Sequence, residues 1–251
     1  MSVTRFLLKR WIIHLVIITG VIFLVNLGFW QLRRLDQRRA LNEEIMTGLN
    51  SPPVTLTGAP VDPNALHRHR VIVTGTFEND YNMILRTQSY QGRAGIDLVV
   101  PLDIKDSDQT VLVNRGWLPF EEFEPEARRA YDVDGEVTIE GIAYRSQLPP
   151  HSLAPTDPDP EPGQWVDAWF RIDIDKIQKQ INRPLLPIYI DALPGPEPDT
   201  APPIREEVTD LGEGSHLSYA LQWFSFAVIL VITYSAFTWQ EYKNSQKNVV
   251  T

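Results

Sequence analysis

His216 stands directly before an apolar stretch of the chain and has aromatic side chains near it at helical spacing. On a helix, four residues share a face with it: Tyr219, Ala220, Trp223 and Ala227. An imidazole beside aromatic and small side chains suits a flat macrocycle such as haem, because its nitrogen can ligate the iron while the rings lie alongside. The same residues are also typical of an aromatic belt at a membrane interface. Both interpretations are open from these residues alone.

Other basic side chains offer further candidate sites. Arg33 and Arg34 follow the first apolar stretch of the chain and are candidates to pair with haem propionates, since guanidinium groups bind carboxylates well. His67 and His69 alternate with arginines, and on an extended chain their imidazoles share one face about 7 Å apart. A metal site is conceivable there. The absence of a third histidine or an acid beside them favours a solvated strand edge instead.

The composition excludes several kinds of chemistry. The chain contains no cysteine, which excludes disulfides, thiol catalysis, and cysteine-ligated zinc or iron–sulfur clusters. It also lacks the G-x-S-x-G, P-loop, H-E-x-x-H and G-x-G-x-x-G patterns. The sequence therefore gives no positive sign of an enzyme.

Two apolar stretches must position the candidate residues. Residues 11–30 would span about 30 Å as a helix, the thickness of a bilayer core, with Trp11 and Trp30 at the two interfaces. A cleaved signal peptide is the alternative, but the stretch is long and no small-residue cleavage site follows it. Residues 217–239 form the second predicted transmembrane helix. The stripe of Ser218, Gln222 and Ser225 on that helix is expected to face protein, either the other helix or a partner.

The distribution of charge also separates the two ends of the chain from the segment between the apolar stretches. The formal net charge is -9, made up of -13 between residues 31 and 215 and +4 at the two ends. An acidic bulk without a basic patch argues against nucleic acid as a partner. Two spans place both termini on one side of the membrane. The basic ends favour the cytoplasmic or matrix side for them, and the periplasm or intermembrane space for the central domain.

The segment between the helices, residues 31–215, reads mainly as β-strands. The predicted strands are residues 71–78, 81–87, 96–104, 111–116, 137–144 and 186–191, with a hairpin turn at 91–95 and a short helix at 174–181. Proline-rich loops at 149–163 and 194–203 interrupt this pattern. The predicted fold class is an α+β membrane protein, with two transmembrane helices flanking one mostly β extramembrane domain.

Three separated motifs resemble those of a known family. Gly28, Trp30, Gln31 and Arg34 are similar to a G-x-W-Q-x-x-R pattern at the end of the first helix. Asn114, Arg115, Gly116, Trp117 and Pro119 are similar to an N-R-G-W-x-P pattern. Residues 216–224, HLSYALQWF, are similar to an H-x-x-Y-A-x-Q-W-F start of the second helix. With the two-helix layout, these motifs resemble the Surfeit locus protein 1 family.

The resemblance implies an inner-membrane factor that assists assembly of haem–copper cytochrome c oxidase. It further implies that haem a, received from haem a synthase, is presented to oxidase subunit I, with His216 as an axial ligand. Tyr219 and Trp223 would then line the haem, and Arg33 or Arg34 would pair with its propionates.

Two other hypotheses remain. The first is a structural adaptor that steadies nascent subunit I without haem. The second is a membrane-tethered periplasmic hydrolase, which would need an acid or histidine cluster that the sequence does not display. The middle motif, Asn114 to Pro119, also has a purely structural interpretation as a strand end with a tight turn and a packed tryptophan.

Overall fold

Two long helices and eight strands make up most of the chain. The computed structural model describes residues 11–149, 151–161, 164–196, 198–206 and 211–247. In chain order the elements are α1 (Trp11–Asn50), β1 (Val54–Leu56), β2 (Arg70–Phe77), β3 (Met83–Tyr90), β4 (Arg93–Ile104), β5 (Thr110–Pro119), α2 (Pro125–Arg128), β6 (Glu136–Arg145), β7 (Ala168–Trp169), α3 (Ile174–Ile177), β8 (Leu185–Ala192) and α4 (His216–Lys247).

The elements form two compact units. The first combines Met1–Glu43 with Asp210–Thr251, and the second is Glu44–Thr209. In the first unit, α1 and α4 are both long and apolar enough to cross a membrane. Most side chains of their apolar stretches are exposed, as lipid-facing residues would be. The predicted fold class, two membrane helices flanking a mostly β domain, is confirmed.

Helix α1 continues well beyond its apolar stretch and ends at Asn50. The sequence predicts this extension and its stop at Ser51-Pro52-Pro53, because proline lacks the N–H that a helix needs and clashes with the preceding turn. The Ser51 hydroxyl donates to the Thr47 carbonyl at 2.8 Å, which satisfies one of the acceptors left free at the helix end.

The second unit is built around a closed barrel of five strands. The strands follow one another in the order β2, β6, β8, β5 and β4, and β4 pairs with β2 to close the ring. Most neighbours are antiparallel, but β5 and β8 run parallel. Outside the ring, β1 pairs with β2, while β3 pairs with β4 and β7.

Two apolar clusters fill this unit. One lies inside the barrel and includes Val73, Leu102, Val113 and Ile190. The other packs residues 166–181 against the outer faces of β3, β4, β5 and β8, around Trp169. Both faces of β4 are therefore covered, which explains why its side chains are almost continuously buried instead of alternating.

All six strands predicted from the sequence occur, with ends shifted by up to three residues. The hairpin turn is tighter than the predicted 91–95 segment: Tyr90 pairs with Arg93, so only Gln91 and Gly92 turn the chain. Both have positive φ, 48° and 78°, as a two-residue hairpin of this hand requires.

Candidate functional site at the start of helix α4

The imidazole of His216 meets the side-chain amide of Gln31. His216 is the first residue of α4, and its Nδ1 lies 2.9 Å from Oε1 of Gln31 on α1. An amide oxygen only accepts hydrogen bonds, so Nδ1 is the donor and carries the proton. The lone pair of the neutral ring is then on Nε2, which has no partner among the described residues. An imidazole fixed in this tautomer by a second residue is the usual arrangement of a histidine metal ligand.

Close packing of the two helices sets this geometry. Gly28 lies one turn before Gln31, and a Cβ at that position would be only 2.4 Å from the ring of Phe224. The ring of Phe29 packs edge-on against Phe224, with 5.4 Å between centroids. A glycine at position 28 therefore allows α4 to approach α1 closely enough for Gln31 to reach His216.

The chain just before α4 is tied to α1 as well. Arg39 makes two hydrogen bonds to the carboxylate of Glu213, at 2.8 and 2.9 Å. Arg38 donates to the Gly212 carbonyl at 3.2 Å, and the Asn42 amide donates to the Leu211 carbonyl. These bonds hold the segment from which His216 projects.

The other predicted site residues lie around this pair with different exposure. Tyr219 is 48% exposed, Trp223 is half-buried and packs edge-on against Phe226, and Arg33 is exposed. The guanidinium of Arg34 lies 5.8 Å from the ring centre of Trp30 and donates to Gln37 at 3.2 Å. Aromatic and basic side chains are thus present near the pair, but Arg33 and Arg34 do not contact it.

One expectation about the helices is corrected, and for the polar stripe only the partner alternative is left. Ala220 and Ala227 were expected to leave room for a macrocycle, but they are 1% and 4% exposed and are buried in the packing of this unit. The stripe of Ser218, Gln222 and Ser225 does not face α1: all three are exposed, and both serines bond to carbonyls of their own helix. Whether a partner covers the stripe remains a prediction.

The two histidines before β2 do not lie on an extended chain. Arg68 between them has a positive φ of 65°, so the predicted shared face of His67 and His69 does not form. The ring of His67 packs edge-on against Tyr144, and its burial lowers its pKa. Among the described residues, no group of three His, Cys, Asp or Glu side chains is placed to hold a metal ion.

The middle motif lies at the end of β5, and its side chains line two small pockets. The Asn114 amide donates to Asp97 at 3.1 Å and its oxygen accepts from the Gly116 N–H at 3.0 Å. Gly116 has φ 113°, and a Cβ there would be 2.4 Å from the Ile204 carbonyl oxygen. Trp117 pairs with Ile204 and packs against Tyr90, and Pro119 ends the strand. These contacts fit the structural interpretation of the motif.

The comparison with known protein families gives a clear assignment. Residues 18–228 match the model of the SURF1 family, which is most of the chain and includes all three motifs. The chain belongs to the SURF1 family.

Named SURF1-family proteins from distant organisms are similar over most of their length. A SURF1-like protein of Monosiga brevicollis is 30% identical over 214 residues, covering 81% of this chain and 79% of that protein. A SURF1-like protein of Rickettsia felis is 26% identical over 88% of this chain and 94% of that protein. Surfeit locus protein 1 of Mus musculus is 26% identical over 79% and 67%.

One constellation of this SURF1-family chain was missed by sequence reasoning. Asp97 on β4 accepts a hydrogen bond from the Asn114 amide, and Asp191 on β8 lies beside the same amide, in a pocket of about 170 Å³. Burial raises the pKa of Asp97 to about 6 and that of Asp191 to about 7. The available signal was a single aspartate inside each of two apolar runs, residues 96–100 and 188–192.

Proposed function

We propose that this SURF1-family protein is a membrane-bound assembly factor for haem–copper cytochrome c oxidase, which binds haem a and presents it to subunit I. The observation that carries the proposal is the orientation of His216 by Gln31, at 2.9 Å. Nε2 of this histidine would hold the iron of a haem, and Gln31 would orient the ring.

The residues around the pair fit a haem-binding role. Gln31 holds the ring in one tautomer and one orientation, which lowers the entropic cost of ligation. Tyr219 provides exposed aromatic surface on the same helix, and Trp223 adds a half-buried ring. Arg33 and Arg34 are exposed at the end of the apolar stretch, where a guanidinium can pair with a propionate.

Family membership supports a role in oxidase assembly. The proposal adds oxidase subunit I as the client and haem a synthase as the enzyme that supplies the haem, as the resemblance of the motifs implies. The proposed location is the inner membrane, with the β domain in the periplasm or, in a eukaryote, in the intermembrane space. Membrane lipid would surround the exposed apolar side chains of α1 and α4. No step in this function requires a bond to be made or broken by the protein.

A structural adaptor without haem is the second candidate. It is favoured by the burial of Ala220 and Ala227, which places these two small residues out of reach of a macrocycle, and by the exposed Gln222. An exposed amide within a membrane helix calls for a hydrogen-bonding partner, and a helix of subunit I would provide one.

Haem content separates the two candidates. The protein is purified from cells that make haem a, and its optical spectrum is recorded beside those of His216→Ala and Gln31→Leu. We expect His216→Ala to lose most of the haem. We expect Gln31→Leu to weaken binding by roughly 10–100-fold, because loss of an orienting partner has effects of that size. His151→Ala, at an exposed histidine of the proline-rich loop, is the matched control and should retain full haem content.

Each outcome has a defined meaning. Unchanged haem content in His216→Ala would remove His216 as the ligand. A wild-type protein that contains no haem would favour the adaptor. Normal oxidase activity in a strain that lacks the gene, grown with ample copper, would contradict both.

A further inference from the structure

A second pocket lies at one end of the barrel, next to the pocket of Asp97 and Asp191, with which it shares Ala192 and Arg205. It lies where β2 and β8 end and β6 begins, and has a volume of about 320 Å³. Its walls are largely apolar, with Phe77, Val133, Val137, Ile139 and Pro203 among the lining residues, and the guanidinium of Arg115 lies at its side. We call it the Arg115 pocket.

The guanidinium of Arg115 uses only part of its hydrogen-bonding capacity within the described residues. Its guanidinium carries five N–H donors, of which one donates to the Tyr131 carbonyl at 2.7 Å. The group lies over the ring of Phe77, 4.9 Å from its centre. Among the described residues no carboxylate lies within salt-bridge distance, and burial lowers the pKa of Arg115 from its usual value. A partly buried cation in this state gains free energy from any anion that reaches it.

The other two charged side chains that line the pocket, Asp199 and Arg205, neutralise each other. Arg205 makes two hydrogen bonds to the carboxylate of Asp199, at 2.8 and 2.7 Å, so this pair is neutral together. The lining residues therefore carry one net positive charge, supplied by Arg115, and Asp132 outside the lining offsets part of it. This balance suits a monoanion better than a doubly charged phosphate.

We propose that the Arg115 pocket binds a small apolar carboxylate, with the carboxylate on Arg115 and the hydrocarbon part against the barrel-end side chains. A planar guanidinium matches a carboxylate with two parallel hydrogen bonds. Burial of the hydrocarbon against valine, isoleucine and phenylalanine adds the hydrophobic contribution. A concave, mostly apolar site with a single convergent charge is the usual form of a small-ligand pocket. The site is independent of haem binding.

Calorimetric titration of the full-length protein in detergent tests the proposal, with hexanoate as the probe and 1-hexanol as its uncharged counterpart. We expect saturable binding of hexanoate and much weaker binding of 1-hexanol. Arg115→Gln should lower hexanoate affinity at least about tenfold, since hydrogen bonds to a charged group contribute about 1.5–3 kcal/mol. Arg129→Gln, at an exposed arginine outside the pocket, is the matched control and should bind like the wild type.

A second variant protects the test against misfolding of Arg115→Gln. Ala201 lines the pocket but is exposed, so Ala201→Leu narrows the pocket without disturbing the core, and it should weaken hexanoate binding several-fold. Equal affinity for hexanoate and 1-hexanol would overturn the proposal, because the charge would then have no role. So would unchanged hexanoate affinity in a folded Arg115→Gln variant.

Discussion

Two buried carboxylates of the β domain, Asp97 and Asp191, lie beside the amide of Asn114, which donates to Asp97. Oδ1 of Asp191 is buried and has no hydrogen-bond partner among the described residues. One amide cannot compensate two negative charges in such a place, so protonation is favoured. This explains why the pKa values, about 6 and about 7, lie well above the ordinary value of 3.8.

The stability of the protein should therefore fall as the pH rises from about 4 to about 7. In this interval the native state holds protons that the unfolded state has released, so the free energy of unfolding decreases with pH. We expect Asp191→Asn to remove most of this decrease and to raise stability at about pH 8, by on the order of 3 kcal/mol. Unfolding of the full chain in detergent, followed by circular dichroism across this pH range, measures it.

Asp134→Asn provides the control, since Asp134 is exposed. This substitution should leave the dependence of the free energy of unfolding on pH as in the wild type. An unchanged slope in Asp191→Asn would show that its carboxyl is not protonated in the native protein at these pH values.

At the scale of the elements, the contact between α1 and α4 depends on two glycines in different ways. A Cβ at Gly28 would lie 2.4 Å from the Phe224 ring, whereas a Cβ at Gly20 would lie 3.6 Å from Leu230, an ordinary contact. The same substitution should therefore have opposite effects at the two positions.

Gly20→Ala should leave the protein unchanged or stabilise it by up to about 1 kcal/mol, because alanine is the better helix former. Gly28→Ala should destabilise the helix pair by roughly 1–3 kcal/mol, because the ring must be displaced. Thermal unfolding in detergent gives both values. Phe224→Leu in the Gly28→Ala background should restore part of the loss. Equal effects of the two alanines would mean that the close approach at Gly28 does not hold the helices together.

At the scale of the whole molecule, charge and hydropathy together predict the membrane topology. Two membrane spans require both ends of the chain to be on the same side, and the ends are basic whereas residues 31–215 are strongly acidic. Because the chain contains no cysteine, a single introduced thiol reports the side on which it lies.

Leu153 is 90% exposed in the proline-rich loop, and Asn244 is exposed near the end of α4. In cells whose outer membrane is permeabilised, we expect Leu153→Cys to react with a membrane-impermeant maleimide. Asn244→Cys should react only after the inner membrane is broken. The reverse pattern would place the β domain in the cytoplasm and exclude the proposed role on the outer face.

The sequence alone predicted both long helices, six of the eight described strands and the position of the principal histidine. The spans 11–30 and 217–239, the alternation in residues 71–78 and the stop at Pro52-Pro53 all reflect local physical chemistry: apolar length, the period of a strand and the lost N–H of proline. His216 was recognisable for the same reason, because its helical neighbours are its sequence neighbours.

The tertiary structure decided which of these residues meet. Gln31 and His216 are 185 positions apart, and their contact depends on which faces of α1 and α4 pack together. Asp97, Asn114 and Asp191 come together only because β4, β5 and β8 are adjacent in the barrel, with β5 and β8 parallel. The positive φ of Arg68 is also a feature that the sequence pattern before the predicted strand 71–78 did not reveal. The hydrophobic periodicity of a sequence indicates whether a residue is buried. Which distant residue it contacts depends on how the helices and strands pack together.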